Sequence, residues 1–224
     1  FSNFLERKKE DIKFPLVCLT VSGWHNDIYY MENMWSFERI WTTTDDAAWE
    51  SYDKVAKMMW MWYPGWPIIS EYASKYRPPL NPLLSKEGKE SEANRGCLFP
   101  RVWLDKSKLD FSFSWLKSAV KREVDNRKSS IFYWGERKKE KGKSIENIEL
   151  SEEDKQEISF EFQNAVNEVL AWKLVNAWIQ KWVKTIMLAG WVSANDNLRE
   201  KISVLASKEN IEFIYPIKKL YSMH

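Results

Sequence analysis

From Ile158 to Ile186, apolar residues recur in steps of three and four: Ile158, Phe162, Ala165, Val169, Trp172, Val175, Ile179, Trp182 and Ile186. Neither proline nor glycine interrupts the run before Gly190. That period predicts an amphipathic helix. Ser151 is a good cap for it, and the acidic Glu152, Glu153 and Asp154 suit the positive end of a helix dipole. Six acidic residues lie between Glu152 and Glu168, and only Lys173, Lys181 and Lys184 follow, the order that opposes the dipole at both ends. Taken from Ser151 to Val192, such a helix is roughly 60 Å long at 1.5 Å per residue. A helix of that length predicts the spine of a bundle or a projection toward a partner.

Other elements are placed around this spine. Phe14 to Ser22 reads as a strand, β-branched and stopped by Gly23, whereas Ile28 to Trp41 is aromatic and ambiguous. Thr44, Asp45 and Asp46 predict a helix start, with Pro64 as its end. Short helices are expected over 68–76 and 195–208, and an amphipathic one over 111–128. The segments 131–134 and 211–215 read as strands. The resulting expectation is a mainly α protein: a helical bundle around one long C-terminal-half helix with a small β component. It forms a single domain over 1–224, with the polar loop 85–96 as the candidate boundary or insertion.

Composition adds two constraints. Hydrophobic residues at 44% and charged residues at 29% place the chain among globular proteins. The 14 Trp against 7 Gly are the anomaly. So few glycines argue against a loop-rich β-sandwich and against glycine-rich phosphate loops. The tryptophans are spread along the chain, which favours packing, except for Trp60, Trp62 and Trp66 around a Pro-Gly bend. That knob is the candidate partner-binding surface, because Trp anchors interfaces.

A net charge of +2 hides two opposite blocks. Residues 117–143 hold ten Lys/Arg against four Asp/Glu, and residues 144–168 hold eight Asp/Glu against one Lys. The two blocks are expected to neutralise one another or to lie in solvent. The alternative is a nucleic-acid surface made by Lys121, Arg122, Arg127, Lys128, Trp134, Arg137, Lys138 and Lys139, with aromatics for base stacking.

Chemistry-bearing motifs are scarce. Only His25 and His224 supply imidazoles, and no CxxC, HExxH, GxSxG, GxGxxG or P-loop occurs. A His25–Cys97 dyad has no support from spacing. Asp46, Glu50 and Asp53 share one helix face, and Glu153, Glu157 and Glu161 share another. If Asp46, Glu50, Asp53, Glu157 and Glu161 converged, they would hold Mg²⁺ as a helical phosphohydrolase does; solvated faces are the plainer reading. No cofactor is expected.

The sequence therefore favours a non-enzymatic subunit of a larger assembly, docking on other protein subunits through tryptophan-rich surfaces. Nucleic-acid binding and Mg²⁺-dependent phosphohydrolysis are the alternatives. No stretch offers about 20 clean apolar residues for a transmembrane helix. Two cysteines without a disulfide framework favour a soluble protein in a reduced-thiol compartment. A start at Phe1 leaves room for a removed targeting segment.

Overall fold

A computed structural model describes residues 3, 12–22, 25–43, 45–78, 97–101, 113–136 and 148–216. Its centre is a five-stranded mixed sheet of order β3-β2-β1-β4-β5. The strands are β1 Leu16–Val21, β2 Asn26–Met31, β3 Phe37–Thr42, β4 Thr185–Ala189 and β5 Glu212–Ile214. β1, β2 and β3 form an antiparallel meander, whereas β1–β4 and β4–β5 pair in parallel. The helices are α1 Ala48–Met58, α2 Gly65–Lys75, α3 Ser114–Glu136, α4 Glu152–Lys181 and α5 Asp196–Lys208, with a 3₁₀ turn over Trp191–Ala194.

The expected helical bundle is thus corrected to an α/β architecture. The long helix is real but stops at Lys181, and Thr185–Ala189 is a buried strand. The error has a physical cause. A strand buried on both faces is continuously apolar, so Ile186 fits a helical period as well as a strand. The reverse error occurred at 131–134, where β-branched and aromatic residues suggested a strand but α3 runs on to Glu136. Ile28 to Trp41 resolves into β2, a turn and β3.

The chain divides into two compact units: Phe1–Glu50, Val102–Phe113 and Val166–His224, then Ser51–Arg101 and Ser114–Ala165. The first unit carries the sheet. Leu16, Val17, Leu19 and Val21 of β1 have no exposed surface, so its central strand is covered on both faces. Ile12, Leu16, Cys18, Met31, Met187 and Ile214 make one cluster on one face. In the second unit Tyr52 and Phe162 meet edge to face, 5.0 Å between centroids. Ser70 Oγ donates to Gln163 Oε1 at 2.7 Å, and Tyr76 stacks on Phe160 at 5.1 Å.

Candidate functional site at the strand ends

In the first unit β1 and β4 run side by side and end together, with Thr20 opposite Ala189. Beyond that point their connections diverge. β1 turns back into β2 on one side, and β4 leads through α5 to β5 on the other. In α/β sheets ligands bind at such a divergence, outside the carboxyl ends of the strands.

Two turns close on it. Gly190, at φ 88° and ψ 171°, leaves β4 in a conformation essentially restricted to glycine. A Cβ there would lie 2.1 Å from Val21 O, so the turns touch through backbone alone. Ser193 Oγ donates to Gly190 O at 2.5 Å, and Asn195 caps α5 by accepting from Leu198 N–H at 3.1 Å. Asn167 of α4 donates to Asn197 Oδ1 at 2.8 Å. Arg199 ties the turn from below: Nε donates to Ser193 O, Nη2 to Pro216 O at 2.9 Å, and its guanidinium lies over the Tyr215 ring. The N-terminal N–H groups of α5 carry the positive end of its dipole beside this turn.

In the turn from β1 to β2, Ser22 Oγ donates to His25 O at 2.9 Å and accepts from His25 N–H at 3.2 Å. Asn26 pairs with Val21, and Asp27 with Thr20. The Asn26 side chain has no exposed surface, and among the described residues its amide makes no hydrogen bond. Asp27 is 8% exposed; Oδ2 accepts from Tyr29 OH at 3.2 Å while Oδ1 has no partner among the described residues. Burial, aided by the Asp27 charge, raises the Tyr29 hydroxyl above its ordinary range. A buried, unanswered amide is an unusual thing to leave at a strand end.

These residues were only partly legible in the sequence. The helix expected over 195–208 offers Ser193 or Asn195 as its cap in the sequence, and Gly190 reads there as a helix breaker. Nothing in the spacing brought Asn26 and Asp27 to Gly190, because the register of β1 against β4 does so.

The residues singled out from the sequence sit elsewhere. Trp60 and Trp62 are 56% and 86% exposed, and Trp66 is half-buried. Lys121 pairs with Asp125 at 2.8 Å, and Arg122 is exposed. Arg127 reaches Glu123, Asp154 and Glu157 at 2.8, 2.5 and 2.7 Å, so the two charge blocks do neutralise each other there. Lys128 is buried, its ammonium 5.2 Å from the Trp60 ring centroid. Trp134 lies within α3, and Arg137, Lys138 and Lys139 fall outside the described residues. Asp46 and Glu50 belong to the first unit. In the second unit Asp53 accepts from Gly65 N–H at 2.7 Å and Glu161 from Leu98 N–H at 3.3 Å. Glu157, besides Arg127, accepts from Tyr76 OH at 3.4 Å. Among the described residues no three His, Cys, Asp or Glu side chains gather in a metal-holding group.

A family model described as TsaD, tRNA N6-adenosine threonylcarbamoyltransferase, matches residues 1–223. The chain belongs to this family. Proteins named tRNA N6-adenosine threonylcarbamoyltransferase from Bacillus thuringiensis (strain Al Hakam) and Bacillus anthracis are each 37% identical over 214 residues, 95% of this chain and 52% of theirs. One from Staphylococcus aureus (strain Newman) is 35% identical over 220 residues, 98% of this chain and 53% of its own. The chain spans about half the length of the curated relatives it matches. Membership of the TsaD family overturns the expected non-catalytic docking subunit, since the family is named for a catalytic tRNA modification. The helical phosphohydrolase reading falls with it, and so does the description as a tryptophan-rich helical bundle. Among the described residues no helix is long and apolar enough to cross a membrane.

Proposed function

We propose that this chain is part of an enzyme that transfers a threonylcarbamoyl group to N6 of adenosine in tRNA. The strand-end site of the first unit receives an anionic portion of a substrate. Family membership supports the reaction, and the convergence of the Gly190 turn, the α5 N-terminus and Asn26 at a switch point supports the site. In the reaction the adenine amine forms a bond to the carbamoyl carbon. The bond from that carbon to the leaving group breaks with its electron pair, and a proton leaves N6. Negative charge grows on the carbonyl oxygen and the leaving group, so fixed N–H donors stabilise it. The α5 N-terminus and the buried Asn26 amide supply donors of that kind at the strand ends. Transfer RNA is the proposed partner, and exposed cations on α3 such as Arg122 suit its phosphates better than Arg127 or Lys128, which are already engaged.

The test uses the full-length enzyme in a strain depleted of this tRNA modification, with tRNA nucleosides measured by mass spectrometry. The unaltered enzyme is expected to restore threonylcarbamoyl-adenosine. Asn26→Ala should lower the yield at least about tenfold, the scale on which loss of a single charge-stabilising donor is felt. Its melting temperature is measured alongside, because truncating a side chain with no exposed surface leaves a cavity, and only a loss of modification in a folded chain counts for the site. Full modification by Asn26→Ala removes the site, and no modification by the unaltered enzyme removes the activity.

A further inference from the structure

Three described non-glycine residues have positive φ: Trp60 at 59°, Trp182 at 51° and Asn210 at 55°. Each stands just past a helix end. After α1, Met61 N–H donates to Ala56 O at 2.9 Å and Trp60 N–H to Lys57 O at 3.1 Å. After α5, Ile211 N–H donates to Ala206 O and Asn210 N–H to Ser207 O in the same pattern. Both are Schellman motifs, with Trp60 and Asn210 at the left-handed position. After α4, Trp182 N–H donates to Trp178 O at 2.9 Å, the simpler left-handed stop. That position favours glycine and, after it, asparagine, because a Cβ meets the following carbonyl. Asn210 obeys the rule. Tryptophan has the Cβ and no short polar group to offset it.

Exposure and composition point the same way. Trp35, Trp60, Trp62, Trp115 and Trp182 are 56–91% exposed, although tryptophan is highly buried on average. The chain has 14 Trp and 7 Gly, whereas an average composition calls for roughly twice that many glycines. Tryptophan is in excess and glycine in deficit, and tryptophan occupies glycine's backbone conformation.

We infer that the codon read as tryptophan at positions 60 and 182 is decoded as glycine in the cell that makes this protein. A codon keeps one meaning along a message, so any tryptophans that share it change together. Several tryptophans follow a glycine directly: Gly23–Trp24, Gly65–Trp66 and Gly190–Trp191. If they share the codon, each becomes a glycine pair. The last pair opens the strand-end turn, where a bare backbone lets a ligand approach closely. Some tryptophan rings do find neighbours: Trp41 is buried, and Trp178 Nε1 donates to Val183 O. Side-chain neighbours leave the backbone angles at 60 and 182 unrelieved.

The test is peptide sequencing by mass spectrometry on the protein isolated from its own cells. Glycine is expected at positions 60 and 182; tryptophan at either overturns the inference. A second measurement examines the steric argument in a host that inserts tryptophan. There Trp60→Gly and Trp182→Gly should each raise Tm by roughly 2–4 °C. No rise in either variant overturns that argument. Neither measurement depends on what the enzyme transfers.

Discussion

Cys18 lies 6% exposed in the sheet core, and burial pushes its thiol from an ordinary 9.0 up to about 11, with a weak opposing bond from Thr20. A thiol whose pKa is raised on folding is neutral in the native state. Its contribution is complete below pH 9 and disappears as pH rises from about 9 to about 11. Two pKa units correspond to about 2–3 kcal/mol. Chemical denaturation at pH 8 and pH 11 should show that much extra loss in the native chain relative to Cys18→Ala. The comparison is needed because the hydroxyls of the buried Tyr52 and the half-buried Tyr29 are raised too. An equal loss in both chains would mean that Cys18 is not shielded from water. At this scale the sequence was readable: Cys18 sits in FPLVCLTVS, whose β-branched run announced a buried strand.

Among the elements, α3 and the first half of α4 are held in the second unit by Arg127 and three carboxylates. Burial works against the guanidinium charge, but the hydrogen bonds it donates to Glu123, Glu157 and Asp154 outweigh it and raise the pKa above the ordinary value. Replacing Arg127 with Met leaves Glu123, Asp154 and Glu157 crowded without a counter-ion. The expected cost is about 2–4 kcal/mol, near the lower end for breaking a buried ion pair because the carboxylates are partly solvated. Urea unfolding measures it; a change below about 0.5 kcal/mol, the size of a surface substitution, would place the cluster in solvent. The basic and acidic blocks could be read in the sequence. Which members would pair could not, because Arg127 and Glu157 are far apart along the chain and meet only where two helices pack.

For the whole molecule, the decisive position is Gly190, where β4 ends against β1. Gly190→Ala puts a Cβ on Val21 backbone and forces a dihedral pair that L-residues avoid. A loss of about 2–3 kcal/mol is expected from strain alone; under the proposed function, tRNA modification falls as well when the strand-end turn moves. A Gly190→Ala chain as stable as the unaltered one would show that the two turns are not held in register.

The sequence by itself determined the cap at Ser151, the central strand β1 and the charge blocks, and narrowed the cap of α5 to Ser193 or Asn195, because each depends on residues within a few positions of one another; it set the first helix to start at Thr44, whereas α1 begins at Ala48. It also held the excess of tryptophan over glycine, though not its meaning, which needed the backbone angles at Trp60 and Trp182. Only the tertiary structure decided that 185–189 is a strand and that β1 and β4 lie parallel and side by side. The same register brings Asn26, Val21 and Gly190 to one sheet end. Those facts come from pairings across more than a hundred residues, and the energy of burying a strand on both faces leaves no period in the local sequence to announce it.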